Sequence, residues 1–201
     1  MSWLLIVIVV LVVLVLLWAV LLYNGLVKKR NRVDNAWAQV EVQLKRRHDL
    51  IPNLVESVKG YAAHERGTFD SVTQARAAAT SARGPAQAGQ AEGILGQALG
   101  RLFAVAEAYP ELKANQNFLD LQAQLKDTED KIAISRQVYN DTVLTFNNGI
   151  QTFPAVVLAG ALGFSKREFF EIDEGDSAAP AVSFASDAAP PAQPPSEAPS
   201  A

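Results

Sequence analysis

The chain has 201 residues, of which 49% are hydrophobic, 19% charged and 8% aromatic, with no cysteine and a formal net charge of −3. That length allows one compact domain with appendages. The lack of cysteine excludes disulfide-stapled scaffolds, cysteine-rich zinc modules, iron–sulfur proteins and thiolate enzymes.

The first predicted element is a membrane-spanning helix. Twenty consecutive apolar residues run from Trp3 to Leu22, and no side chain from Met1 to Val27 is charged. At about 1.5 Å per residue, such a helix is roughly 30 Å long and matches the hydrocarbon core of a bilayer. A signal peptide would instead have a basic leading segment, a shorter apolar core and a small-residue cleavage site. We therefore predict an uncleaved transmembrane anchor over residues 1–27, with the span at residues 3–22.

Four basic residues directly follow this span, and no Lys or Arg precedes it. The four are Lys28, Lys29, Arg30 and Arg32. The positive-inside rule places the rest of the chain on the cytoplasmic side of the membrane, with the periplasmic side as the alternative. We also predict that these side chains contact the membrane surface, because a basic residue near anionic lipid gains about 1 kcal/mol. The alternative, that they only set the topology, stays open.

The next predicted element is a long helix. Apolar residues recur at alternating spacings of four and three from Val33 to Ala79, a heptad repeat that is typical of helices packed side by side. Pro52 lies within this repeat, so we expect a kink or short break near residues 50–53. Asn24 and Gly25 mark a point at which this helix could separate from the span.

Two further helices complete the predicted core. Residues 81–89, which include the sequence Arg-Gly-Pro, predict a stop. Helices are then expected over residues 90–108 and from about 118 to 153, with a short one at 155–162. No stretch has the alternating pattern of a strand. We therefore predict an all-α protein in which residues 28–175 form an antiparallel bundle of three to four long helices.

Residues 176–201 are predicted to be a disordered, acidic tail. Most of them are Ala, Pro or Ser. Proline removes backbone donors, and the segment has little apolar bulk to offset the entropy of ordering.

Motifs for metal, nucleotide or nucleic-acid binding are missing from the sequence. His48 and His64 are sixteen residues apart, which places them about 160° apart around one straight helix. No Glu-x-x-His, His-Glu-x-x-His or Walker motif is present, and the net negative charge disfavours nucleic acid. We predict no catalytic residue, no cofactor, no metal and no nucleic-acid partner.

Seven polar residues lie at or beside the apolar seams. A charge buried in a bundle is costly unless it is paired, so we expect interhelical ion pairs and amide hydrogen bonds that fix the register. The alternative is that these residues line a small polar pocket. They are Arg47, Asp49, Glu65, Glu129, Arg136, Asn140 and Asn147.

Several sequence blocks resemble the LemA family. The longest is VQLKRRHDLIPNLV at residues 42–55, and a second is YPELKAN at residues 109–115. Shorter matches are Tyr139-Asn140, Phe146-Asn147, Gly163-Phe164 and the Phe-Phe-Glu at 169–171. The resemblance spans roughly residues 23–171. It implies a protein of the bacterial inner (plasma) membrane with an antiparallel helical bundle and no catalytic residues to transfer. Magnetosome members of the family are associated with membrane invagination, which implies a membrane-organising role.

These observations favour a non-enzymatic, single-pass membrane scaffold or adaptor. It would act at the membrane surface through contacts with a protein partner or with further copies of itself. The alternative is a small-molecule sensor, or an accessory subunit of a membrane enzyme, that uses the polar seam residues.

Overall fold

The computed structural model describes residues 2–172, and this part of the chain contains helices and no strand. The predicted all-α fold, with a long apolar N-terminal helix and packed helices after it, is confirmed. The tail predicted for residues 176–201 lies outside the described residues. The helices are α1 (Ser2–Lys59), α2 (Arg66–Ser81), α3 (Gly84–Glu107), α4 (Pro110–Lys113), α5 (Gln116–Gln151) and α6 (Ala155–Ala159).

Helix α1 joins the apolar run to the bundle without interruption. Its 58 residues correspond to a length of about 87 Å. The most apolar part of α1 is 0% buried against the rest of the protein, and the helix is long and apolar enough to cross a membrane. Asn24 and Gly25 do not interrupt it. A glycine weakens a helix by only about 1 kcal/mol, and Leu26 is already buried in the bundle.

Of the kink or short break expected near residues 50–53 from Pro52, the break is absent. Helix α1 continues to Lys59, and the chain reverses at residues 60–65 instead. Pro52 has no N–H to donate to the His48 carbonyl one turn earlier. The Arg76 Nε in α2 donates to that carbonyl oxygen at 2.7 Å. A neighbouring helix therefore satisfies the acceptor that the proline leaves open.

The four longer helices of the bundle alternate in direction. Thr80, near the end of α2, lies 3.5 Å from the ring of His48, so α2 turns back along α1. Ile150, near the end of α5, packs in the same cluster as Leu26, so α5 is also antiparallel to α1. The heptad repeat from residues 33 to 79 is thus shared between two antiparallel helices.

Helix α3 begins six residues earlier than the predicted 90–108. Only Ala82 and Arg83 separate it from α2. Gly84 has a φ of 74°, which reverses the chain at little cost. Pro85 occupies the first turn, where its missing N–H removes no helical hydrogen bond.

The bundle has two halves along its length. In the distal half, farthest from residues 3–22, helices α1, α2, α3 and α5 enclose an apolar core around Leu54 and Leu102. In the proximal half, α1 packs against α5, and an extended segment covers them. We call this segment, residues 164–172, the strap. Its Phe164 and Phe170 are buried in the proximal core.

The turn between α5 and the strap lies at the proximal end of the bundle. We call it the tip, residues 152–163. It contains α6, which is shorter than the predicted helix at 155–162. Ala155 and Ala159 face the bundle and are buried, and Gly163 ends the tip with a φ of 76°.

Candidate functional site

A buried charged cluster lies at the middle of the bundle. Arg47 and His48 are neighbours on α1, Glu92 is on α3 and Glu129 is on α5. Arg47 Nη1 donates to Glu92 Oε2 at 3.0 Å, and its Nη2 donates to Glu129 Oε1 at 3.0 Å. His48 Nε2 lies 2.6 Å from the other oxygen of Glu92. The cluster therefore ties three helices together.

Glu92 is the most buried member of this cluster, at 1% exposed. An isolated buried carboxylate would lose several kcal/mol of hydration free energy. Here each oxygen of Glu92 has a partner, one on Arg47 and one on His48. Pairing of this kind is what keeps a buried carboxylate compatible with a folded core.

Sequence reasoning missed Glu92 and His48 as members of the cluster. Glu92 lies three residues before Leu95 and seven before Leu99, both of which are buried. A single acid on an otherwise apolar heptad stripe was the available signal. For His48 the sequence offers no signal beyond its position next to Arg47. Among residues 2–172, no group of three or more acidic or histidine side chains is placed to hold a metal ion.

A cleft of about 530 Å³ opens on one side of the cluster. Arg47, Glu92 and Glu129 line it together with Arg136 and, from the strap, Ile172. Glycines on α3 make room for it: a Cβ at Gly96 would lie 3.8 Å from Arg47 Nη2. The Glu129 side chain is 49% exposed, so the cleft connects the buried charges to solvent.

Asn140 and Asn147 hold the strap. Asn140 Nδ2 donates to the Phe170 carbonyl at 3.2 Å, and the Phe170 N–H donates to Asn140 Oδ1 at 2.9 Å. Asn147 makes the same pair of bonds with the backbone of Arg167, at 2.9 and 2.8 Å. Each asparagine amide therefore pairs with one strap residue as a neighbouring strand would. These bonds go to the strap, whereas the expectation was for amide bonds between helices.

The spacing of the two asparagines matches the spacing of the strap residues. Seven residues along α5 advance about 10.5 Å. Three residues of extended chain, from Arg167 to Phe170, advance about 10 Å. The heptad repeat of the helix thus sets the register of the strap.

Tyr139 also fixes the strap. Its hydroxyl donates to the Glu168 carbonyl at 2.8 Å. Its ring lies 5.2 Å from that of Trp37, which in turn lies 5.6 Å from Phe170. Burial raises the pKa of Tyr139 to about 12, and the nearby Arg167 guanidinium opposes that rise.

The other predicted polar residues lie elsewhere. Asp49 is exposed on α1, and Glu65 is exposed in the turn before α2, so the structure brings neither to the buried cluster. Lys28 and Arg32 are exposed, whereas Lys29 and Arg30 are half-buried beside the proximal end of α5 and the strap. The Arg30 guanidinium lies 5.6 Å from the ring centre of Phe164.

Within residues 2–172, one helix that is long and apolar enough to span a membrane continues into a helical bundle. This architecture defines a class of helical, membrane-associated proteins. The LemA family model matches residues 36–184, and the chain belongs to the LemA family.

Relatives come from several bacteria. The chain is 29% identical over 182 residues to the magnetosome protein MamQ of Magnetospirillum gryphiswaldense, covering 77% of this chain and 67% of MamQ. It is 28% identical to MamQ 2 of Paramagnetospirillum magneticum, covering 74% and 64%. Identity to protein LemA of Metamycoplasma hominis is also 28%, covering 75% and 69%. The match thus spans about two thirds of each relative, and none of the three names describes a reaction.

Proposed function

We propose that this protein is a non-enzymatic, single-pass membrane scaffold or adaptor that presents a helical bundle to a protein partner at the membrane surface. The observation that carries the proposal is the continuity of α1 from the apolar run into the bundle. The 37 residues from Tyr23 to Lys59 extend about 55 Å beyond the span. A partner bound to the bundle would be held at a fixed height above the lipid.

The location follows from the same helix. The bundle faces the cytoplasm at the bacterial inner membrane, in line with the basic residues that directly follow the span. The magnetosome names of the MamQ relatives support a role in organising membrane.

The outer face of α5 is the surface we assign to protein contact. Ile134 is 64% exposed and Val138, one turn later, is 46% exposed. Large apolar side chains on the same exposed helix face are typical of interaction surfaces. The partner is a second protein or a further copy of this chain.

The test is photo-crosslinking in intact bacteria that express the full chain. A photoreactive side chain replaces Ile134, and the matched control carries it at Asp120, an exposed polar position on α5. We expect a discrete adduct from position 134, of the chain with itself or with one other protein, that position 120 does not give. Monomer alone at both positions would contradict the proposal.

A second candidate function is supported by the cleft beside Glu129. Its polar lining and its volume of about 530 Å³ fit a small polar molecule, as in a sensor or an accessory subunit of a membrane enzyme. A metabolite panel should then raise the melting temperature of the full chain. Glu129→Gln should abolish that rise, whereas Glu107→Gln, at an exposed site on α3, should leave it intact.

A further inference from the structure

The tip lies beside the end of the apolar span. Leu22, the last residue of the apolar run, packs against the same cluster that contains Ala159 and Phe164. The ring of Tyr23 lies 5.6 Å from the ring of Phe164. The tip is therefore within about one helical turn of the depth at which α1 would leave the hydrocarbon.

The outer side of the tip is apolar and uncovered. Phe153 is 79% exposed, Val157 69%, Val156 50% and Leu162 40%. No charged residue occurs between Asp141 and Lys166 in the sequence. Four large apolar side chains clustered on one short turn would be unfavourable in water.

Basic residues follow both the apolar span and the tip along the chain. Lys28 and Lys29 lie six and seven residues after Leu22, or about 10 Å along α1. Lys166 and Arg167, three and four residues after the tip, are exposed on the strap. The order of apolar residues followed by basic residues matches the order of hydrocarbon and anionic headgroups in a bilayer.

We propose that the tip inserts into the interface of the lipid bilayer next to the transmembrane helix, as a second membrane contact. The buried Ala155 and Ala159 fix α6 to the bundle, while Phe153, Val156, Val157 and Leu162 enter the lipid. Two contacts restrict the rotation of α1 about its own axis, which one span does not. This inference rests on the proposed membrane anchor and not on the proposed protein partner.

The test measures the depth of the tip in full-length protein. The chain has no cysteine, so a single cysteine can carry an environment-sensitive fluorophore. Val157→Cys reports on the tip, Val13→Cys on the span, and Ile94→Cys on an apolar site of the bundle that is 59% exposed. The labelled chains are placed in vesicles of phosphatidylcholine and phosphatidylglycerol. Quenching by brominated lipid is then compared with quenching by aqueous iodide.

We expect the Val157 probe to be quenched several-fold more by brominated lipid than by iodide, as the Val13 probe is, and the Ile94 probe to behave oppositely. Iodide quenching at Val157 like that at Ile94 would overturn the proposal. Protection from both quenchers would also overturn it, because protein and not lipid would then cover the tip. Failure of the Val13 probe to sense lipid would refute the membrane anchor itself.

A charged substitution gives an independent check. Val156→Asp should lower lipid quenching of the Val157 probe several-fold, because an aspartate is excluded from the apolar interface. Val42→Asp is the matched control, at a site of α1 that is 63% exposed. It should leave the lipid quenching of the Val157 probe unchanged. Equal quenching in both variants would contradict insertion of the tip.

Discussion

Arg47 is buried, whereas Arg46 beside it is exposed. Its guanidinium joins Glu92 to Glu129 inside the bundle. Arg46, one position earlier, points to solvent and lies 3.7 Å from an exposed Asp127. The two arginines are adjacent in sequence, yet only Arg47 takes part in the buried network.

We expect Arg47→Ala to lower the free energy of unfolding by about 3–5 kcal/mol, because it removes one partner of a buried carboxylate. Arg46→Ala should lower it by less than about 1 kcal/mol, as is usual for an exposed ion pair. Urea unfolding of the full chain in one detergent, followed by circular dichroism, measures both. Equal losses in the two variants would refute the placement of Arg47 in the core.

Tyr139 predicts a pH dependence of stability. Its pKa is about 12 in the folded protein against an ordinary value of 10.0. The folded state therefore keeps a proton that the unfolded state releases. The stability that Tyr139 contributes is fully present below pH 10 and is lost as the pH rises through 12.

The measurement compares the free energy of unfolding of the wild-type chain with that of Tyr139→Phe between pH 10 and 12. The stability advantage of the wild type should shrink by about 2–3 kcal/mol between pH 10 and 12. Tyr61→Phe, at an exposed position, is the control for general alkaline effects. A constant difference between wild type and Tyr139→Phe would contradict the burial of this hydroxyl.

Some of the residue-level picture was within reach of the sequence. Arg47 lies on a heptad position, so its burial followed from the repeat. Glu92 also lies on a heptad stripe, inside the helix predicted over residues 90–108, but the predicted apolar face of that helix did not include it. Which acid pairs with which base depends on the alignment of separate helices, and periodicity within one helix does not contain that information.

At the scale of elements, the strap covers α1 and α5 in the proximal half, as α2 and α3 do in the distal half. Helices α2 and α3 cover the distal half of α1 and α5, and α3 reaches the proximal core only near its start, at Ala88. The strap covers the proximal half with Phe164, Phe170 and an extended backbone. An isolated extended segment has unpaired backbone groups, and the amides of Asn140 and Asn147 pair with them.

We expect Asn147→Ala to release this part of the strap. The variant loses two hydrogen bonds, each of which contributes about 1 kcal/mol. Hydrogen exchange at the Arg167 amide, whose N–H now bonds to Asn147 Oδ1 at 2.8 Å, should become faster. Asn148→Ala, at an exposed neighbouring site, should leave that rate unchanged. Unchanged exchange in both variants would contradict the role of Asn147 in holding the strap.

The sequence indicated the helices and the stop at residues 81–89, where α2 ends and α3 begins, but not the reversal at residues 60–65. The heptad phase runs on from Val58 to Val72 across a reversal, because α1 and α2 bury their stripes in one core. Pro52 was the stronger sequence signal for a break, and Arg76 on another helix overrides it. The strap has no periodicity, so neither its path nor its register was predictable from local pattern.

The whole molecule has a direction with respect to the membrane, and that direction can be measured. We expect Asp49→Cys, exposed on α1, to react with a membrane-impermeant maleimide only after cells are lysed. The reason is the basic cluster after the span, which favours the cytoplasm. Ser2→Cys, on the other side of the span, is the control and should react in intact cells. The reverse labelling pattern would place the bundle in the periplasm.

The uninterrupted α1 connects the apolar span directly to the far end of the bundle. Transmembrane helices adjust their tilt over tens of degrees as bilayer thickness changes. Residues 23–59 of α1 form an arm beyond the span. Because Asn24 and Gly25 lie within one continuous helix, a tilt of the span would tilt this arm, and with it the far end, by the same angle. For an arm of about 55 Å, a tilt of about 10° displaces that end by about 10 Å. In the proposed membrane-anchored state, a local change in the thickness of the lipid would move the far end of the bundle.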